Sequence, residues 1–221
     1  MVIGVFGTNT ERKQIPRVLS ALPSIKDRLG PSRVVLYLHC RPTGYWRFAE
    51  MADEMGLREH VRFPTTSGFD ERRGVHTAEA DPTGAHQAAA VGAFPASLSY
   101  VDRLNCCDVV VNVPHSGDIE QVILEAQACG VPLVHTDDEG IMAEAVGAGG
   151  VLLPARDVGT GRCGERIYHV ASADVADAVE SILKDEALRS GLREAGMENA
   201  SRDRWTALRT GACELVERCL S

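Results

Sequence analysis

Short apolar segments alternate along the chain with longer amphipathic ones. The apolar segments, which are typical of strands buried on both faces, lie at 2–7, 33–39, 60–63, 108–113, 131–136 and 149–153. Between them, apolar residues recur at helical spacing at 11–29, 46–57, 95–107 and 141–146, and a further helix ends at 129. This alternation predicts an α/β protein with a doubly wound parallel sheet of about six strands and right-handed crossovers.

Two polar regions interrupt the alternation, and helices follow the second one. Residues 65–93 are rich in glycine, proline and charge and have few large apolar side chains, so we predict a long loop with room for a small hairpin. Residues 156–170 predict a second polar loop. Helical spacing returns at 172–184, 186–200 and 204–219, and the last of these stretches is amphipathic. No internal repeat divides the sequence.

Charge and composition narrow the class of protein. The 221 residues carry a formal net charge of -8, which disfavours broad affinity for nucleic acid or for anionic membranes. No apolar run reaches the ~18 residues that span a bilayer, and the amino-terminal strand lacks the basic region of a signal peptide. The seven cysteines include no Cys-x-x-Cys pair, so we expect free thiols in a reducing, cytoplasmic compartment.

The segment 114–132 is the strongest candidate for a ligand site. The strand 108–113 leads into a Ser/Gly/Asp turn and then into a helix that ends at Gly130, with Pro132 beyond it. In an open parallel sheet, ligands bind at the carboxyl ends of the strands. A helix that starts there presents free backbone N–H groups and a partial positive charge, which suit a phosphate.

Three charged side chains are candidates for recognising such a ligand. Arg12 and Lys13 follow the turn after the first strand, where they would clamp a diphosphate; the alternative is a solvated basic pair on a helix. Glu125 lies in an otherwise apolar helix, where its carboxylate would accept hydrogen bonds from vicinal ribose hydroxyls. The alternative for Glu125 is an exposed glutamate on a helix face.

Metal binding and several catalytic classes are not favoured. Three consecutive carboxylates at 137–139 follow a strand, but a turn before a helix favours Asp and Glu as caps. His39, His115 and His135 all end predicted strands, yet their spacing matches no zinc motif. We therefore expect no metal. The sequence also has no Gly-x-Ser-x-Gly, Walker A or Gly-x-Gly-x-x-Gly motif.

The combination resembles the C-terminal, donor-binding half of GT-B glycosyltransferases of family 4, also called glycosyl transferases group 1. The resemblance covers nearly the whole chain. It implies that residues 1–221 form a single Rossmann-like domain that binds a nucleotide-diphosphate sugar. It rests on Gly7-Thr8-Asn9 followed by Arg12-Lys13, on Leu36-Tyr37-Leu38-His39, and on Pro114 through Pro132 with its Leu-Glu-Ala-Gln-Ala-Cys-Gly-Val-Pro end.

The resemblance also implies roles for particular residues. Arg12 and Lys13 would contact the diphosphate of the donor, Glu125 would bind the nucleotide ribose, and backbone N–H groups at 116–118 would approach the phosphates. The ligand would be a UDP- or GDP-sugar, with no further cofactor, and no catalytic residue is assigned. The predicted substrate-binding set is Asn9, Arg12, Lys13, Ser116, Gly117, Asp118, Ile119 and Glu125.

Two departures from the family pattern bear on activity. The family's Glu-x7-Glu motif begins with a glutamate that contacts the transferred sugar together with the Gly-Phe-Gly after it. Here the matching positions read Gly117, Asp118, Ile119 and Glu120, so Asp118 would have to substitute one position later. Family members also have an N-terminal half that holds the acceptor. We expect that a separate chain supplies this half, that the chain is a donor-binding relic, or that it is a fragment.

Three functions are consistent with these features. The first is the donor domain of a glycosyltransferase, whose final helix at 204–219 packs on a missing or separate acceptor-binding domain. The second is a non-catalytic nucleotide-binding or interaction module. The third is another doubly wound enzyme, such as a sugar-nucleotide epimerase. The sugar, the base, the acceptor and the stereochemical outcome stay open.

Overall fold

Strands and helices alternate along most of the described chain, as the sequence pattern predicts, but at 150–169 three strands follow one another with no helix between them. The computed structural model describes residues 1–30, 33–64, 98–116 and 120–202, the backbone of strands at 67–70, 75–80 and 93–94, and positions 210, 213–214 and 216–219. The strands are β1 (Val2–Phe6), β2 (Val35–His39), β3 (Val61–Pro64), β4 (Ser67–Asp70), β5 (Val75–Ala80), β6 (Ala93–Phe94), β7 (Val109–Asn112), β8 (Leu133–Thr136), β9 (Gly150–Leu153), β10 (Arg156–Thr160) and β11 (Arg166–His169). The helices are α1 (Ile15–Leu29), α2 (Phe48–Glu54), α3 (Tyr100–Asn105), α4 (Gln121–Ala128), α5 (Ile141–Val146), α6 (Ser172–Lys184) and α7 (Glu186–Ser201).

In the described part of the chain, seven strands form one parallel sheet in the order β6-β3-β2-β1-β7-β8-β9. The chain leaves β1 in one direction to build β2, β3 and β6, and then returns to the other side of β1 as β7. Strand β1 therefore pairs in parallel with both β2 and β7. The gap between the carboxyl ends of β1 and β7 is the topological switch point, where ligands bind in open α/β sheets.

Helices cover both faces of this sheet, which explains why most side chains of its central strands are apolar. Successive strand side chains point to opposite faces. Ile3 and Val5 of β1 pack on one face in the core that also includes α1 and α6, and these two helices contact each other. Phe6 packs on the other face with Leu104 of α3 and Ile123 of α4. The predicted doubly wound parallel sheet is therefore confirmed.

Two strand predictions differ from the structure. The predicted polar loop at 156–170 is wrong, because β10 and β11 form an antiparallel hairpin there. Strand β10 is exposed along its whole length, so its pairing leaves no apolar alternation in the sequence. The edge strand β6 pairs in parallel with β3 and makes the sheet one strand larger than predicted. The small hairpin for which the 65–93 region has room is formed by β4 and β5.

Several helix boundaries also differ from the predicted ones. The stretch 11–29 is not one helix but a 3-10 helix (Glu11–Lys13) followed by α1, because Gln14 adopts a left-handed conformation with φ of 51°. Helix α3 is shorter than the predicted 95–107, and it begins at a capping box formed by Ser99 and Asp102. Most of the predicted final helix, 204–219, lies outside the described residues. Among the helices described, none has both the length and the apolar character that a membrane crossing requires.

A buried amide network fixes α4, the helix that starts at the switch point. Asn199 of α7 donates from Nδ2 to Gln127 Oε1 (2.7 Å) and to the Ala145 carbonyl (2.9 Å). Gln127 lies on α4, is fully buried, and donates from Nε2 to the Val146 carbonyl (2.7 Å). The network therefore ties α4 to α7 and to the end of α5 through groups that water does not reach.

Asn199→Leu is expected to lower the free energy of unfolding by about 3 kcal/mol, because Gln127 Oε1 and the Ala145 carbonyl lose their donor inside the protein. Urea denaturation measures this change. Glu198→Leu, one position earlier and exposed, is the matched control and should cost less than about 0.5 kcal/mol. Equal costs for the two substitutions would contradict a stabilising role for the network.

Candidate functional site

Two loops meet at the switch point between β1 and β7. The 3-10 helix Glu11–Lys13 follows β1, and a turn through Ser116 follows β7. The His115 amide donates to the Arg12 carbonyl (2.9 Å), and Arg12 Nη1 donates to the Ser116 carbonyl (3.1 Å). Gln14 adopts a left-handed conformation and separates the 3-10 helix from α1. The basic pair therefore lies on a separate turn at the carboxyl end of β1.

The basic pair holds a carboxylate of the same chain. Glu120, the residue just before α4, accepts a hydrogen bond from Arg12 Nη1 at Oε1 (2.5 Å) and one from Lys13 Nζ at Oε2. The side chain of Glu120 is 4% exposed, that of Lys13 is 10% exposed and that of Arg12 is 39% exposed. Arg12 and Lys13 are therefore not a solvated pair on a helix surface. They are two cations converging on one buried anion.

Electrostatics keep this anion charged. Burial by itself would raise the pKa of Glu120, but the neighbouring charges of Lys13 and Arg12 and their hydrogen bonds outweigh burial and lower it. Glu120 is therefore ionised at neutral pH. Two cations and one carboxylate leave the cluster with a net charge of +1.

The lowered pKa of Glu120 predicts how stability depends on pH. Because the folded-state pKa lies below the unfolded value of about 4.3, ionised Glu120 stabilises the fold above that pH, and the contribution is lost as the pH falls through the folded pKa. Urea denaturation at pH 7 should therefore find the native chain more stable than Glu120→Gln, with a difference that shrinks toward about pH 3. A difference that grows on acidification would contradict the lowered pKa.

Polar residues beneath Glu120 hold its carboxylate in place. Asn112, the last residue of β7, donates from Nδ2 to Glu120 Oε2 (3.1 Å) and lies 3.4 Å from His135 Nε2. His135 Nδ1 lies 2.9 Å from the Thr136 carbonyl, so a neutral imidazole with its proton on Nδ1 satisfies both contacts. Burial lowers the pKa of His135, which favours this neutral form. His135 therefore supports the cluster from inside the protein.

A cleft of about 180 Å³ opens beside Lys13 and Glu120. Glu125, on the second turn of α4, is half-buried in its wall and accepts a hydrogen bond from the Tyr100 hydroxyl (2.6 Å). Burial, and then this bond, raise the pKa of Tyr100, so its hydroxyl stays protonated and donates. Two of the three predicted charged residues thus line one cleft. The rest of the lining includes Phe6, Gly7, Thr8, His39, Gln121 and Val122.

If Lys13 contacts the diphosphate of a UDP-sugar, as the sequence resemblance implies, Gly7→Ala is expected to displace Lys13 and to weaken UDP binding roughly tenfold. Gly7 has a φ of +154°, and a Cβ there would lie 2.9 Å from Lys13 Cε. Isothermal titration with UDP measures the affinity. Gly56→Ala is the matched control, because Gly56 also has positive φ (+66°) but no described heavy atom within 4 Å. Ala at positive φ costs on the order of 1–2 kcal/mol of stability in either variant, and Gly7→Ala should cost more because its Cβ also meets Lys13. An equal loss of affinity in the control would contradict the role of the Gly7 contact.

The other predicted site residues have different surroundings. Asn9 is 7% exposed, donates from Nδ2 to the carbonyls of Arg41 (3.1 Å) and Trp46 (2.8 Å), and accepts from the Trp46 amide (2.9 Å). These contacts hold the loop after β2, and a contact of Asn9 with substrate stays a prediction. Ser116 is buried beside Arg12, with Oγ 2.9 Å from His115 Nδ1. The predicted residues Gly117, Asp118 and Ile119 lie outside the described residues.

The carboxylates of Asp137 and Asp138 accept hydrogen bonds from backbone amides. Asp137 accepts from the Glu139 amide (3.0 Å), and Asp138 accepts from the amides of Gly140 (3.2 Å) and Ala143 (3.0 Å) at the start of α5. The bond from the Ala143 amide caps the first turn of α5, which is the role that a turn before a helix predicts for an aspartate. Within the residues described, no group of three His, Cys, Asp or Glu side chains is arranged to hold a metal ion.

Sequence reasoning missed three residues of the site. In the sequence Glu120 is only a mismatch to the family motif, yet in the structure it is the direct partner of the basic pair. Tyr100 holds Glu125, and Asn112 holds Glu120. The one signal in the sequence was the position of Asn112 at the end of a buried apolar strand, where a polar side chain reaches the ligand-binding edge.

Solved structures share this fold. The C-terminal domain of a glycosyl transferase group 1 family protein (LpcC) from Francisella tularensis matches with a TM-score of 0.60 and 17% identity, over 91% of this chain and 85% of that one. Anabaena Alr3699/HepE in complex with UDP-glucose matches with a TM-score of 0.63 and 18% identity, over 98% of this chain and 48% of that one. The chain therefore has the fold of the C-terminal domain of GT-B, group 1 glycosyltransferases, as the sequence resemblance predicts.

A sequence relative is also a glycosyltransferase. The D-inositol 3-phosphate glycosyltransferase of Corynebacterium jeikeium (strain K411) is 24% identical over 222 aligned residues, which cover 98% of this chain. The chain spans 43% of the length of that relative. No family model matches the chain.

Proposed function

We propose that this chain is the donor-binding part of a glycosyltransferase and binds a nucleotide-diphosphate sugar. One observation carries the proposal: Lys13 and Glu125, a cation suited to phosphate and a carboxylate suited to ribose hydroxyls, line the same cleft at the topological switch point. The similarity to glycosyltransferases in both sequence and fold supports it. Arg12 joins Lys13 through their shared partner Glu120.

Each charged residue has a defined task in the proposed reaction. Arg12 and Lys13 bind the diphosphate and neutralise the charge that it gains as the bond to the sugar breaks, Arg12 with a planar fork and Lys13 as a point charge. Glu125 accepts hydrogen bonds from the ribose and so orients the nucleotide. The positive charge comes from these side chains, so we expect no metal cofactor.

UDP is the first nucleotide to test, because Alr3699/HepE, which shares the fold, has been solved with UDP-glucose. GDP is the second. The acceptor half would come from another domain or another chain, since the chain spans only part of its sequence relative. On this proposal residues 1–221 form one donor domain, and the final helix 204–219 packs on that acceptor half. Free cysteines favour a cytoplasmic location.

A thermal-shift panel tests the proposal. A nucleotide at 100 times its Kd stabilises its protein by about 2.7 kcal/mol, which raises Tm by several degrees. We expect UDP or GDP and the corresponding sugar nucleotides to raise Tm, and adenosine, as a nucleoside without phosphate, to leave it unchanged. If no nucleoside diphosphate or nucleotide sugar shifts Tm, the proposal is wrong.

A non-catalytic nucleotide-binding module is the second candidate. It is favoured by Gly117, which stands where group 1 enzymes have a sugar-contacting glutamate. Such a module would bind UDP as tightly as UDP-glucose, because it recognises only the nucleotide. A donor domain would bind the sugar nucleotide more tightly or hydrolyse it slowly, and chromatography of UDP-glucose incubated with the chain separates these outcomes.

A further inference from the structure

The basic pair already holds an anion of this protein, the carboxylate of Glu120. Each oxygen of the Glu120 carboxylate accepts from a different cation, Oε1 from Arg12 and Oε2 from Lys13. This is the arrangement in which the two cations would bind two phosphate oxygens of a ligand. The Glu120 carboxylate therefore occupies the position that a phosphate of the ligand would take.

Among the described residues, Lys13 and Glu120 face a diphosphate from the same wall of the cleft. Both side chains line the same cleft, and their charged ends are in direct contact. Lys13 is only 10% exposed and its Nζ contacts Glu120, so a phosphate that reaches Nζ from this cleft competes with the Glu120 oxygen for the N–H donors of Lys13. A phosphate that stayed outside would lie next to a carboxylate of the same sign in a site of low dielectric constant.

We propose that the Glu120 carboxylate competes with the diphosphate for Arg12 and Lys13. Glu120 thereby lowers the affinity of the site for a ligand by an amount that grows with the negative charge of the ligand's phosphates. This inference rests on the proposed function, because it concerns the same ligand. On binding, the diphosphate takes Arg12 and Lys13, while Asn112 Nδ2, 3.1 Å from Glu120 Oε2, stays available to the displaced carboxylate. Glu120 thus fills the cation pair when the site is empty and weakens binding of the charged ligand.

Three ligands that differ only in phosphate number separate this role from a structural one. Isothermal titration of uridine, UMP and UDP is performed on the native chain, Glu120→Gln, Glu120→Ala and the control Glu194→Gln. Glu194 is exposed on α7, so its substitution makes the same change of charge outside the site. We expect Glu120→Gln to raise UDP affinity roughly tenfold or more, UMP affinity less, and uridine affinity by less than about twofold. The control should match the native chain.

The outcomes are distinct. If the native chain binds UDP and neither Glu120 variant gains affinity, the inference is wrong while the proposed function stands. An equal gain for uridine and UDP would also overturn it, because a neutral ligand does not compete for the cations. If no protein binds any of the ligands, both the proposed function and this inference fail. Melting of each variant is followed in parallel, and Glu120→Ala gives a second test if Glu120→Gln does not fold.

Discussion

Lys13→Met is expected to weaken UDP binding about hundredfold and to lower the free energy of unfolding by about 3 kcal/mol. Methionine keeps the unbranched stem of Lys13 but removes its charge. The diphosphate then loses its most deeply buried cation, and Glu120 loses one of its two ion-pair partners while remaining 4% exposed. Isothermal titration measures the affinity, and urea denaturation measures the stability.

Two further variants separate these effects. Lys184→Met removes an exposed lysine from a helical ion pair and should leave UDP affinity unchanged and cost less than about 0.5 kcal/mol. The double variant Lys13→Met/Glu120→Gln removes both buried charges and should regain most of the lost stability, because no unpaired carboxylate is left. Its UDP affinity should stay below that of the native chain. UDP affinity that is unaffected by Lys13→Met would contradict the assigned role.

Glu125→Ala is expected to lower UDP affinity by between about tenfold and hundredfold, because a charged acceptor for two ribose hydroxyls is lost. Stability should change little, since Glu125 is half-buried and its described side-chain partner is the Tyr100 hydroxyl at the edge of the cleft. Titration of UDP against the native chain and the variant measures the loss. Glu194→Ala, on the exposed face of α7, is the matched control.

A modified ligand makes the Glu125 prediction sharper. The 2′,3′-dideoxy analogue of UDP lacks both hydroxyls, so it should bind the native chain weakly and lose no more affinity in Glu125→Ala. If the substitution weakens UDP and the dideoxy analogue by the same factor, Glu125 does not act on the ribose. The Tyr100 bond would then be its main contribution, as a structural support for the cleft wall.

Most of the sheet could be predicted because its strands obey a local rule. β1 and β7 are buried on both faces, so nearly every residue is apolar and the run is visible in the sequence. The β10–β11 hairpin obeys no such rule, since β10 is exposed along its whole length and β11 is only partly buried. Its strands therefore look like a polar loop in the sequence.

The candidate site divides in the same way. Arg12, Lys13 and Glu125 could be chosen from the sequence because a turn after a strand and a charge in an apolar helix are local signals. The Lys13–Glu120 ion pair joins residues 107 positions apart, so it depends on β1 and β7 becoming neighbours in the sheet. No local sequence pattern predicts that β1 and β7 are neighbours. The role of the Glu120 carboxylate as the partner of Lys13 could therefore be recognised only in the folded protein.

Isothermal titration of the native chain with UDP and GDP, and with UDP-glucose and GDP-glucose, tests the proposed donor site most directly. We expect saturable one-to-one binding of at least one nucleoside diphosphate and its sugar form, with the binding strongly reduced in Lys13→Met. The absence of binding heat for all four ligands at several temperatures, with a chain that melts cooperatively, would contradict a nucleotide-sugar site in this cleft.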